Sequence, residues 1–518
     1  MKRNGYWLAW GLAVAGLAAS ANAELGLPRL FSDHMVLQRD LAAPVWGWAD
    51  PGETITVTIE GKTCSAIADK DGRWQVKLAP LNASRKPLEL TVTGKATKTV
   101  VRDILVGDVW LCSGQSNMEF GLGSADNAQE VIPGFTNSMI RLLSVKAAQA
   151  GQPVLDIPSG WLMCGKQVVD FSAVGYFFGR SIQKETGIPI GLINNAWGGT
   201  AIELWMPAEA PATVPEVARE FDKKRSDYSN QLAKMIDPVG QWVEKARQAK
   251  DKGELLPSPP LLPVCPPALD NLAGIYNGRV APLIPFGIKG ALWYQGEANG
   301  NDDDIYAFKT QAMIGSWRKA WNQGDFPFYF VQLANYQTAD ISPIGGNGWA
   351  KIRMAQFKCL QIPRTGMAVA IDVGVANDIH PRNKEDVGER LALWALKNDY
   401  GRKDLVCSGP LYKGMTVEGS KIRVSFDYAD KGLMVGRKTG HGPASEVKED
   451  VLKRFAVAGS SNHWFWADAV IDGSTVLVSS TNVPAPVAVR YAFSMNPEGC
   501  NLYNKEGLPA SPFRTDTW

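Results

Sequence analysis

Cysteine, histidine and runs of one charge are all scarce in this chain, and each scarcity removes a class of function. Seven cysteines in 518 residues, at 64, 112, 164, 265, 359, 407 and 500, show no C-x-x-C spacing, which argues against a disulfide scaffold or a structural zinc site. Cys112, inside an apolar run, reads as a small buried hydrophobe. No H-E-x-x-H and no carboxylate cluster is evident, so neither a metal nor any other cofactor is expected. A glycine-rich strand-to-helix fingerprint is also missing, which argues against dinucleotide or phosphate binding. Basic runs, repeats and low-complexity tracts are absent too, and a formal charge of +2 gives no reason to expect nucleic acid or an anionic membrane surface as partner.

Long apolar runs are confined to the start. Lys2 and Arg3, the apolar stretch Trp7 to Ala19, and the small-x-small Ala21-Asn22-Ala23 form the pattern of a secretory signal peptide over 1–23, with the mature chain starting near Glu24. Removing that stretch takes the formal +2 to zero. No later segment approaches the roughly 20 apolar residues that span a bilayer. An exported protein, periplasmic or extracellular, with no membrane insertion after cleavage is expected.

What the chain does contain is organised in three parts. Over 24–103, short alternating runs such as Thr54 to Ile59 and Leu88 to Thr93 are separated by turn signals such as Asp50-Pro-Gly and Asp71-Gly, which predicts an N-terminal β-sandwich. Over 104–405 the pattern changes to strands alternating with helices: a helix over Ala173 to Thr186, a strand from Ile190, another over Ile288 to Tyr294, a helix marked by Tyr306, Thr310, Met313, Trp317 and Trp321. That predicts an α/β domain with a mainly parallel sheet flanked by helices. Within it, 207–267 is heavily charged and then proline-rich, and reads as a helical insertion with an extended return. From 406 to 518 the strands return, as in Lys421 to Phe426 and Thr475 to Ser479, predicting a C-terminal β-rich, sandwich-like domain.

The candidate chemistry starts at Asp108-Val-Trp-Leu-Cys-Ser-Gly-Gln-Ser-Asn-Met118. An apolar run ends abruptly in small polar residues, so a strand delivers the Ser116 hydroxyl at its carboxyl end, where open α/β sheets gather their reacting groups. Gly114, two residues earlier, permits the tight turn. The plainer reading makes Ser116 a helix N-cap. A nucleophilic serine needs a base, and of the four histidines, 34, 380, 441 and 463, only His380 falls in the α/β part, shortly after the strand Met367 to Ile371.

Four motifs then stand in order: Gly114-Gln-Ser-Asn-Met118, Asn195-Ala-Trp-Gly-Gly-Thr200, Trp293-Tyr-Gln-Gly-Glu-Ala-Asn299 and Asp378-Ile-His-Pro381. Together with Phe31-Ser-Asp-His-Met-Val-Leu-Gln-Arg39 near the mature start, they resemble the sialate O-acetylesterase family within the SGNH hydrolases. The resemblance implies an SGNH-type α/β fold and a serine esterase acting on an O-acetylated sugar or glycan. It makes Ser116 the nucleophile and His380 the base, with an oxyanion hole from the Ser116 N–H, the Gly198-Gly199 turn and the Gln295 side chain. Glutamine at 295 departs from the asparagine that SGNH hydrolases commonly carry there, though this subgroup shares it. Asp378, two residues before His380 rather than three, is the expected third member of a triad, with Asp372 or a main-chain carbonyl as alternatives. Asn117, Glu297 and Asn299 are candidates for substrate contact or support. An acetylated xylan is the alternative substrate, and a non-catalytic carbohydrate-binding protein the alternative class.

Overall fold

The computed structural model describes residues 25–518; the leader expected over 1–23 lies outside the described residues. Six strands come first: β1 (Val36–Gln38), β2 (Pro44–Trp48), β3 (Thr54–Ile59), β4 (Lys62–Ile67), β5 (Arg73–Lys77) and β6 (Ser84–Thr93). Their alternation has a one-sided cause: on β3, Ile55, Val57 and Ile59 are buried while Thr54 is exposed. β4, β3 and β6 form an antiparallel sheet, and β2 pairs with β5.

β6 then pairs with β7 (Lys98–Gly114), so the boundary expected between 103 and 104 falls inside one strand. The burial along β7 explains the reading. Up to Asp103 exposed and buried residues are mixed, and from Ile104 to Gly114 every residue is buried, because that half lies mid-sheet with both faces covered. Asp103 sits at φ 52° where the pattern changes. Its carboxylate is 2.6 Å from His34 Nδ1 and accepts from Arg141 Nη1 at 2.8 Å. His34 is thereby tied to the joint between the N-terminal strands and the central sheet.

The central sheet adds β8 (Asn137–Ser144), β9 (Leu162–Cys164), β10 (Ile190–Ala196), β11 (Gly290–Tyr294), β12 (Phe328–Gln332) and β13 (Thr365–Val369) in the order β13-β12-β11-β7-β10-β8-β9. All neighbours are parallel except β9 against β8. Cys112 and Leu292 are register partners, as are Ser113 and Trp293, and successive residues of a strand face opposite ways. On the first face Trp110 packs edge-on against Phe178 of helix Ala173–Thr186 at 4.9 Å. On the other, Trp293 meets Trp317 of helix Ile305–Trp321 at 6.1 Å. Helices on both faces of a parallel sheet give an α/β fold, with β-rich sheets beyond it.

The 207–267 segment forms helices Pro215–Ala233 and Ile236–Asp251 and then runs without regular structure to Pro266. The C-terminal part builds three small antiparallel sheets with a core of their own around Val424, Val457, Val478 and Val489. The N-terminal strands, by contrast, share one core with the α/β region. Buried Arg353 joins the C-terminal part on, donating to Leu333 O and Ala334 O at 2.8 and 2.6 Å and to Ser494 O and Met495 O at 2.7 and 3.0 Å. Among the described residues no helix is long and apolar enough to cross a membrane.

Candidate active site

Three strand ends place Ser116. β7 stops at Gly114, whose φ is 139° and where an added Cβ would lie 2.2 Å from Tyr294 O, so no other residue lets β7 and β11 approach this closely. Gln115 N–H donates to Tyr294 O at 2.9 Å and Trp197 N–H to Gly114 O at 2.9 Å. The chain then turns into one helical turn, Ser116–Glu119. Ser116 is its first residue, so its N–H has no acceptor within the turn.

His380 arrives from the loop after β13, and its Nε2 lies 2.8 Å from Ser116 Oγ. Asp378, expected to orient the ring, does something else: its Oδ1 accepts the main-chain N–H of His380 at 2.8 Å. A carboxylate two residues before an N–H closes a local turn of the kind aspartate favours, so it fixes the loop rather than bonding to Nδ1. Asp372 is taken by Arg390, at 2.6 and 2.9 Å to its two oxygens. The contact at Ser116 is thus a serine–histidine pair. Burial, then the Lys384 charge, hold His380 below its ordinary value of 6.5, with Asp378 pulling the other way. The imidazole is therefore neutral, and able to accept a proton, near pH 7.

A lysine that sequence reasoning passed over lies under this pair. Lys384 is fully buried, donates to Asn117 Oδ1, and stands over the rings of Phe120 and Tyr294 at 4.8 and 5.5 Å. Asn117 Nδ2 in turn donates to Glu297 Oε1 at 2.6 Å and to Ile379 O at 3.1 Å. One asparagine next to Ser116 thus ties a buried cation, a buried carboxylate and the residue before His380. Burial pulls the lysine down to about 7, opposed by Glu297, Asp378 and Asp126, and burial pushes Glu297 above its usual range. The only sequence signal was the four-residue spacing from His380 to Lys384, which says nothing of burial.

The expected oxyanion-hole groups are divided. Gly198 is beside Ser116, since an added Cβ would lie 3.2 Å from Ser116 Cβ. Its N–H donates to Glu119 Oε2 at 2.7 Å. Gly199 follows at φ 71° and allows the turn. The Gln295 amide is not brought to the pair: it is wholly buried, and donates to Thr200 O at 3.1 Å and Asn299 Oδ1 at 2.7 Å. Its Oε1 accepts from Tyr306 at 2.8 Å. Both amide hydrogens are used in supporting the floor behind the Gly198-Gly199 turn. Asn299 belongs to the same network, donating to Glu203 at 3.0 Å and Asp302 at 2.8 Å.

That network includes a carboxylate cluster no spacing had suggested. Glu203, Glu220 and Asp302 converge from three separate parts of the chain. Lys309 Nζ sits among them at 2.7, 3.0 and 2.6 Å, so its ammonium takes the position a cation would need and supplies the counter-charge. Beside the Ser116 turn, a cavity of about 820 Å³ is lined by Glu119, Trp161, Asn194, Ala196 and Arg279.

Known proteins resemble this chain over nearly its whole length. The family described as carbohydrate esterase, sialic acid-specific acetylesterase, matches residues 106–239 and 278–397, ranges that include both Ser116 and His380. A sialate O-acetylesterase from Rattus norvegicus is 30% identical over 97% of this chain and 96% of its own length. The Homo sapiens sialate O-acetylesterase is 29% identical, over 95% and 93%. A crystal structure of a carbohydrate acetylesterase from Xanthomonas citri superposes with a TM-score of 0.77 at 37% identity, covering 95% of this chain and all of that one. Because the likeness runs through the β-rich ends as well as the α/β region, the chain belongs to the sialate O-acetylesterase family of carbohydrate esterases and is an esterase.

Proposed function

We propose that this esterase works outside the cytoplasm and removes O-acetyl groups from sialic acids, with Ser116 as nucleophile and His380 as base. The observation that carries the reading is the 2.8 Å contact between Ser116 Oγ and His380 Nε2 at the carboxyl edge of a parallel sheet, in a chain similar to sialate O-acetylesterases from end to end. Export rests on the leader pattern of residues 1–23.

His380 takes the Ser116 proton as Oγ attacks the acetyl carbonyl. The developing oxyanion is held by the N–H groups of Ser116 and Gly198: the first has no acceptor within its turn and is aimed in advance, which lowers the barrier without reorganising, and the second is released by Glu119 as substrate enters. His380 then protonates the departing sugar hydroxyl, leaving acetyl-Ser116. Water, deprotonated by the same imidazole, attacks that ester, and acetate leaves as the proton returns to Oγ. Gln295 acts from behind, by holding Thr200 and Asn299 in place.

The test is acetate release by residues 24–518 from an O-acetylated sialic acid and from acetylated xylan, with Ser116→Ala alongside. Release from the sialic acid that disappears in the variant is expected. Release from xylan alone would move the substrate to neutral polysaccharides, and a variant as active as the parent would overturn the role of Ser116.

A further inference from the structure

Six arginines are buried in the described structure: 141, 279, 318, 353, 390 and 490. Five are matched. Arg141, Arg390 and Arg490 face Asp103, Asp372 and Asp516. Arg353 spends its donors on four carbonyls, and Arg318 binds two carbonyls with Asp325 at 4.0 Å. Arg279 differs. It is only 7% exposed, and like Arg353 it has no carboxylate partner, but unlike Arg353 it makes only two hydrogen bonds: Nε donates to Asn195 Oδ1 at 3.1 Å and Nη2 to Val145 O. Its guanidinium stands 5.1 Å from the Trp197 ring. Nη1 makes no hydrogen bond among the described residues, so three of the five N–H groups of the fork are unspent. Burial pulls the group down to about 10, with only Glu119 opposing, and the Glu119 carboxylate is engaged by Gly198 N–H.

Its place relates it to the site. Arg279 reaches across the carboxyl ends of β8 and β10 and lines the cavity beside the Ser116 turn, and the ring it stacks on is the residue before Gly198. In the same wall Asn194 is 9% exposed and its buried side-chain oxygen has no hydrogen-bond partner. Asp33, Glu119 and Asp170 also line the cavity, against Lys146, so the cavity has no general positive field that would hold an anion. Recognition must be local, through the fork.

We infer that Arg279 is a carboxylate anchor, binding the acid group of an acidic sugar end-on through Nη1 and Nη2 while the acetyl ester lies at Ser116. The inference rests on the esterase reading above and narrows its substrate class: a carboxylate supplies the counter-charge this buried cation lacks and matches its planar fork. A neutral acetylated sugar would enter the same cavity and leave the guanidinium unpaired.

The experiment compares kcat/KM for acetate release from an O-acetylated N-acetylneuraminic acid, its carboxamide analogue, an O-acetylated hexuronic acid and acetylated xylose, with the full chain and with Arg279→Met and Arg279→Lys. The parent should favour the sialic acid over its carboxamide by about 10²-fold or more, mainly through KM. Arg279→Met should lose a similar factor on the acid and at least tenfold less on the carboxamide; Arg279→Lys, which keeps the charge without the fork, should fall between. A preference extending to the hexuronate assigns the anchor to acidic sugars at large, and one confined to the sialic acid assigns it to that sugar. A parent enzyme that treats acid and carboxamide alike, needing no variant to fold, overturns the anchor while leaving the esterase intact; absence of acetate from all four substrates instead strikes the esterase reading itself.

Discussion

Ser116 and His380 meet from opposite kinds of support. Ser116 follows a strand whose last 11 residues, Ile104 to Gly114, are all buried, and whose terminal glycine touches the neighbouring strand so closely that no side chain fits. His380 sits on a loop with no strand or helix of its own, held by Asp378 from inside the loop and by Asn117 through Ile379 O, with Lys384 donating to that asparagine. The serine is positioned by the sheet and the histidine by side chains. Damage on the first side should therefore show as loss of fold or loss of chemistry, whereas the second side should yield by degrees.

The largest effects test whether the two sides form one unit. Ser116→Ala and His380→Ala should each lower kcat by about 10³–10⁶, and the double variant should be no worse than the poorer single one. Additive losses in single-turnover acetate release would mean the two groups act apart.

Next comes the buried lysine. Lys384→Met removes the cation to which Asn117 Oδ1 accepts, leaves Glu297 without its neighbouring positive charge, and should cost about 1–3 kcal/mol in denaturant unfolding along with roughly 10–10²-fold in kcat. If kcat fell while the unfolding midpoint and the pH profile stayed put, Lys384 would have to act on substrate directly.

The pH profile sharpens the same contrast. In the proposed mechanism His380 must be neutral to accept the Ser116 proton, and burial with Lys384 depresses its value, so kcat/KM should rise with pH and level off with an apparent pKa below 6.5. Removing the Lys384 charge should move that limb upward, and removing the Asp378 charge should move it downward. Shifts of the opposite sign would show that other charges control the imidazole.

The smallest effect is expected at Asp378. A carboxylate bonded to the ring of a triad histidine is worth about 10⁴ in kcat, but Asp378 accepts from the main chain, so Asp378→Asn should cost on the order of tenfold. A loss near 10⁴ in steady-state turnover would show that the carboxylate reaches Nδ1 during the reaction.

The same division explains what could be read from the residues alone. Strands and helices of the central sheet were legible because fully buried strands read as apolar runs, and helices such as Ala173–Thr186 show a periodic face. The placement of Ser116 and His380 at one edge of the sheet is legible because both fall just past such strands. The strand β7 runs across the expected boundary at 103–104 because alternation stops at Ile104 while the strand does not. Lys384 and Arg279 look like ordinary surface charges in sequence, and only the elements that fold over them make them buried. Gln295 was expected to point at the pair, but Tyr306, Thr200 and Asn299 capture all its hydrogen-bonding groups, partners separated from it by 11, 95 and 4 residues, respectively. The two-residue spacing from Asp378 to His380 fits a local turn as well as a side-chain pairing, and the carboxylate accepts from the main chain.

The strand β7 also bears on how such a protein can be rebuilt. Seventeen residues long, it is an edge partner of the N-terminal strands at one end and the seat of Ser116 at the other, so the N-terminal part is no detachable cassette. A chimera spliced at residue 103 would divide one continuous ladder between two parents and demand that both agree on its twist and register. The C-terminal sheets, with a core of their own, offer the natural place for exchange.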